Sequence, residues 1–171
     1  RDPRQDPRPL FIQVATGSSH APWVPVPELL DWESLGDGHV FDAVALSGAA
    51  PDEVWRDRDR VRRQYRLAID YALRTVLAYA DRHADEPPLM IVLGDHQAAG
   101  FVALDERPDV PIHVIGPRHL VERAAMDWQL SRGLIPKDST PVIAMDRMRD
   151  RILETFSGAR SGVRSATRAG E

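Results

Sequence analysis

The stretch "PPLMIVLGDH" (87–96) constrains this chain more than any other. After two prolines, Leu89 to Leu93 are apolar without alternation. Such a run reads as a strand covered on both faces, the pattern of a parallel sheet between helical layers. It stops at Gly94 and drops into Asp95 and His96. In open α/β sheets ligands collect beyond the carboxyl ends of strands, so an acid and an imidazole emerging there point to chemistry. The blander alternative is a solvated turn, with Asp95 capping it and His96 merely exposed.

The neighbouring segments predict the same architecture. "LFIQVA" (10–15) reads as a buried strand running into the loop "TGSSH". Pro22, Pro25, Pro27 and Pro51, with several glycines between them, then predict a long loop region from 18 to 51. Val61, Tyr65, Ala68, Ile69, Ala72, Val76, Leu77 and Ala80 recur at three and four and predict a long helix. "FVALD" (101–105) predicts a weak strand and "DVPIHVIG" (109–116) a stronger one. A helix is expected over 118–132, with Leu120, Ala124 and Trp128 on one face. A closing helix carries Met145, Met148, Ile152 and Phe156 on one stripe. This order predicts an α/β layered fold with a mostly parallel sheet flanked by helices.

Composition narrows what such a fold can do. At 171 residues, 43% hydrophobic, the chain is one domain or part of one. A net charge of −4 gives no pull toward nucleic acid. The absence of cysteine removes disulfides, thiolate metal ligands and a cysteine nucleophile. No apolar run approaches the roughly 20 residues a membrane helix needs, so the chain is expected to be soluble. Residues 1–9, "RDPRQDPRP", read as a linker, 10–157 as the folded part, and 158–171 as a disordered polar tail. The arginines at 56, 58, 60, 62 and 63 interleave with Asp57 and Asp59 and predict a charged helix face.

A carboxylate oxygen and a neutral imidazole nitrogen suit zinc, or manganese where oxygen ligands dominate. Two adjacent residues are a thin motif, but their surroundings add to it. "QYRLAIDYALRTVLAYADRHADEPPLMIVLGDHQ" resembles the corresponding segment of the sulfatase and alkaline phosphatase superfamily, with matching positions at Tyr65, Ile69, Val76, Gly94, Asp95 and His96. "FIQVATGSSHAPW" is similar to the Ser-His-x-Pro-aromatic loop of its lipoteichoic-acid-synthase-like branch. "DVPIHVIGP" and "MDRMRDRILETF" are similar to its next strand and closing helix. The resemblance covers roughly Leu10 to Phe156.

That resemblance implies an alkaline-phosphatase-like three-layer sandwich, present only in its C-terminal part. It implies hydrolysis or transfer of a phosphate or sulfate ester. Asp95 and His96 become ligands of a divalent metal (zinc, manganese, magnesium or calcium) in the complete enzyme. His20 becomes a contact to the substrate anion and Trp23 a stacking surface for a polyol or sugar. His113 is read as a structural histidine within a strand, with substrate contact as the alternative. The substrate is a small anionic ester or a lipid-linked one, and the parent protein is extracytoplasmic and membrane-anchored.

Three departures stand against a complete site. Gln97 replaces the glycine that usually follows Asp-His, Leu73 replaces an acidic residue, and no counterpart of the nucleophile segment is found. The nucleophile is therefore expected in an upstream half of the same polypeptide, and this chain alone is expected to be inactive. The rival reading is a degenerate, non-catalytic binding or scaffold module of a larger, membrane-embedded protein, such as one fused to a lipid-head-group transferase.

Overall fold

The computed structural model describes residues 9–157, apart from the side chain of Ala45. The expected linker (but for Pro9) and the expected tail lie outside the described residues. The chain divides into two units, Arg1–Tyr79 with Ala98–Asp105, and Ala80–Gln97 with Glu106–Glu171.

In the first unit the prolines leave little regular structure before residue 58. Single 3₁₀ turns at Gly17–Ser19, Trp32–Ser34 and His39–Phe41 precede two four-residue helices, α1 (Asp42–Ala45) and α2 (Pro51–Val54). The long helix α3 spans Arg58–Arg82. Its start is fixed by Asp57, whose Oδ1 accepts the backbone N–H of Asp59 at 2.8 Å and of Arg60 at 3.3 Å. These donors have no partner inside a helix, which is why an acid or small polar residue favours that position. Val61, Ala68 and Ala72 are buried, as the stripe requires. Val61 and Ala68 meet Trp23, Val54 and Val102, with Tyr65 and Phe101 at the margin.

Two expected strands are absent from this unit. "FVALD" holds a helical turn, α4 (Gly100–Ala103), because Val102 and Ala103 both donate to the carbonyl of Ala99. "LFIQVA" is neither paired nor buried; Phe11 is 84% and Val14 74% exposed. A strand needs a neighbour for its backbone groups, and none is present for 10–15 among the described residues.

The second unit holds the sheet. β1 (Met90–Leu93) and β2 (Ile112–Ile115) pair antiparallel, with Met90 opposite Ile115, Ile91 opposite Val114, Val92 opposite His113 and Leu93 opposite Ile112. The predicted mostly parallel sheet, and the three-layer sandwich that the resemblance implied, are thus corrected. Helical residues, 3₁₀ turns included, make up 45% of the described residues, and the only sheet among them is this two-stranded one. Parallel pairing needs a crossover element lying against the sheet. The segment between these strands instead turns back, and the N–H of Gly94 donates to the carbonyl of Pro111 at 3.2 Å, one step beyond the ladder. The end of β2 also needs glycine. A Cβ on Gly116, at φ +144°, would stand 2.5 Å from the carbonyl oxygen of Pro88.

One sheet face carries Ile91, Ile112 and Val114 onto helices α5 (Arg118–Asp127) and α6 (Met148–Phe156). Alternation places Met90, Val92, His113 and Ile115 on the other. Both faces being apolar is what made the run look like a central strand. Helix α5 is shorter than expected. Gln129 adopts a left-handed conformation and Leu130 N–H reaches the carbonyl of Ala125, a Schellman-type stop. Trp128, 2% exposed, anchors the core, donating from Nε1 to the Thr155 hydroxyl at 2.9 Å with the Phe156 ring edge-on to it. Among the described residues no helix is long and apolar enough to cross a membrane.

Candidate metal-ligand pair at the exit of the first strand

Asp95 and His96 follow directly from β1, and the neck behind them is tied. Gly94 is held by its bond to Pro111, and a Cβ there would meet the Val110 side chain at 3.0 Å. The chain then turns sharply. Asp95 Oδ1 accepts the backbone N–H of His96 at 3.0 Å. His96 Nδ1 lies 2.8 Å from the carbonyl oxygen of Gln97. A carbonyl only accepts, so Nδ1 carries the proton, and in the neutral ring Nε2 keeps its lone pair.

That lone pair is the one a metal requires. Nε2 of His96 and Oδ2 of Asp95 are 3.7 Å apart. Two donors at that separation can share one cation at the ~2.0–2.2 Å typical of zinc–nitrogen and zinc–oxygen bonds. An imidazole whose other nitrogen donates to a backbone carbonyl is also the usual setting of a histidine ligand. The pair is nonetheless open: the His96 side chain is 74% exposed and that of Asp95 90%. Among the described residues no three His, Cys, Asp or Glu side chains come together to hold a metal ion. The residues fit two positions of a coordination shell and not a whole one.

Distance alone does not single out this pair. His39 lies 3.8 Å from Asp37 Oδ2 through Nε2 and 2.8 Å from Asp42 Oδ2 through Nδ1, on an exposed turn. What distinguishes 95–96 is its position at the end of a hydrogen-bonded strand, on a backbone fixed from both sides.

The other sequence-selected residues fall elsewhere. His20 belongs to the first unit, and its Nδ1 lies 2.7 Å from the carbonyl of Ala21, the same neutral tautomer as His96. To donate to an anionic oxygen from Nε2 it must therefore be the imidazolium. Trp23, beside it, is 7% exposed and serves the core. It stacks on Trp55 with ring centroids 5.6 Å apart, takes the Tyr65 ring edge-on, and donates from Nε1 to the carbonyl of Ser19 at 3.0 Å. Trp55 is the more exposed partner of the stack. His113 is half-buried in β2 opposite Val92, on the sheet face away from α5 and α6.

Two contributions were not legible from residue types. The arginine-rich run is partly structural, since Arg62 donates to the carbonyl of Phe101 at 2.7 Å and pairs with Asp59, while Arg58 lies over the Phe101 ring. Gln97, which stood out only as a departure from glycine, donates from its side-chain amide to the carbonyl of Asp109 at 2.6 Å. The chain matches no family model, no curated protein and no solved structure.

Proposed function

We propose that this chain is the C-terminal part of a sulfatase-like, metal-dependent hydrolase or transferase of phosphate or sulfate esters. Asp95 and His96 supply two ligands to its divalent cation. The nucleophile and the remaining ligands come from polypeptide upstream of these 171 residues. The observation that carries this reading is the His96 ring held through Nδ1, with Nε2 presented beside a free carboxylate oxygen at the exit of β1. When bound, such a cation activates a hydroxyl nucleophile and stabilises charge on the transferring group. The chain's own part is to present one anionic and one neutral donor from a fixed turn. His20 as a contact to the substrate anion, and a lipid-linked or small anionic ester as substrate, rest on the sequence resemblance. So does a membrane-anchored parent.

A second reading has its own support. Two exposed side chains without a third ligand among the described residues also suit a non-catalytic binding or scaffold module.

The test is metal-dependent turnover of p-nitrophenyl phosphate, bis-p-nitrophenyl phosphate and p-nitrophenyl sulfate by the longer polypeptide that carries these residues. Asp95→Asn and His96→Ala are expected to lower the rate by more than the ~10–100-fold that changes just outside a coordination shell cost. Equal rates in the parent and both variants, or no turnover by the parent, would leave the scaffold reading. Turnover by the 171-residue chain alone would contradict the division of the site.

A further inference from the structure

Gln97 makes two hydrogen bonds through two different groups, one to the candidate site and one across the neck of the loop. Its carbonyl oxygen accepts the proton on His96 Nδ1 at 2.8 Å, and its side-chain amide donates to the carbonyl of Asp109 at 2.6 Å. Because that partner is a carbonyl, the group facing it must be the NH₂, which fixes the amide's orientation. Together with the Gly94 to Pro111 bond, the Gln97 brace closes the neck of the loop at a second level, 97 to 109 beyond 94 to 111.

We propose that Gln97 is a positioning residue for His96. By tying its own peptide to Asp109, it holds the carbonyl that keeps the proton on Nδ1 and leaves Nε2 free to ligate. The role of the freed nitrogen rests on the metal-ligand reading above, whereas the coupling between brace and tautomer does not. The physical chain is short. Without the side-chain anchor the 97 peptide is free to rotate, its carbonyl leaves Nδ1, and the exposed imidazole is no longer held in one neutral form. A merely structural role for Gln97 would change stability and leave the ring alone.

The experiment is long-range ¹H–¹⁵N NMR of the imidazoles in the labelled 171-residue chain, above the pH range where histidines titrate. Gln97→Ala and Gln97→Glu are compared with the parent, and His96→Ala assigns the signals. Gln97→Glu keeps the size of the side chain but cannot donate to the Asp109 carbonyl once ionised. The expected result is a protonated Nδ1 and bare Nε2 at His96 in the parent, and a mixture of both tautomers in the two variants. His20, whose Nδ1 rests on Ala21 without such a brace, is expected to be unchanged in all three. Zinc titration of the longer polypeptide that carries these residues, with the same variants, is expected to show Gln97→Ala weakening binding about tenfold, the lower end of what such supporting contacts contribute.

A His96 ring that keeps one tautomer in both variants, or is already mixed in the parent, would overturn the proposal. If the tautomer responds to Gln97 while His96→Ala leaves zinc binding untouched, the positioning role stands and the metal-ligand reading falls.

Discussion

In the first unit Trp23 reaches the core from a proline-rich loop, whereas in the second Trp128 reaches it from the end of a regular helix. Trp23 is held by ring contacts to Trp55 and Tyr65 and by a bond to the Ser19 carbonyl. Trp128 is held by a bond to a buried hydroxyl on the neighbouring helix. The first arrangement orders a segment that has few backbone hydrogen bonds of its own. The second locks together elements that already satisfy theirs. A large aromatic can thus organise a loop or merely complete a helix pair, and the sequence context around it differs accordingly.

The largest effects should come from removing the two anchors. Trp128→Ala and Trp23→Ala are each expected to destabilise the unit concerned by about 3–5 kcal/mol. Hydrogen exchange distinguishes them: Trp128→Ala should deprotect the amides of β1 and β2, and Trp23→Ala those of α3 around Val61 to Ala72. Protection that survives Trp23→Ala would show that the loop ring decorates the first core without organising it. Thr155→Val sharpens the contrast, since it strands the buried Trp128 N–H and should cost about 1–3 kcal/mol in chemical denaturation.

A smaller effect is expected at the start of α3. Asp57→Ala removes the side-chain acceptor of two helix N–H groups and should cost about 1 kcal/mol, with Asp57→Ser largely restoring it. The smallest concerns the Arg118–Glu122 pair on α5, 2.7 Å apart and open to solvent. The hydrogen bond from Arg118, followed by its charge, holds the Glu122 carboxyl below its usual range. A lowered pKa means the carboxylate is favoured in the folded chain. The contribution is therefore present above the ordinary glutamate range and is lost as pH falls through the lowered value. Glu122→Gln should flatten that part of the melting-temperature profile against pH. An unchanged profile would show the pair contributes nothing, as many exposed pairs do.

The regularity of the second unit is also why more of it could be read in advance. Its two strands and two helices coincide with runs whose apolar spacing or continuity is informative. Strand direction was not legible, because continuous apolar residues report burial on two faces and say nothing of which neighbour runs alongside. Residues 10–15 show the same gap more sharply, having a strand's composition but no partner for its backbone among the described residues. In the first unit α3 was visible as a three-and-four stripe, while the burial of Trp23 followed no period. At the candidate site the residue types alone singled out Asp95 and His96. Their support was not legible, since the Gln97 brace depends on a carbonyl twelve residues away.

The most direct test of the Asp95–His96 pair is titration of the chain with Mn²⁺, followed by paramagnetic broadening of backbone amide signals. The expected result is broadening that begins at Asp95, His96 and Gln97 and is lost in both Asp95→Asn and His96→Ala. Broadening that begins instead around Asp37, His39 and Asp42, or that persists unchanged in those variants, would contradict the assignment of the pair as metal ligands.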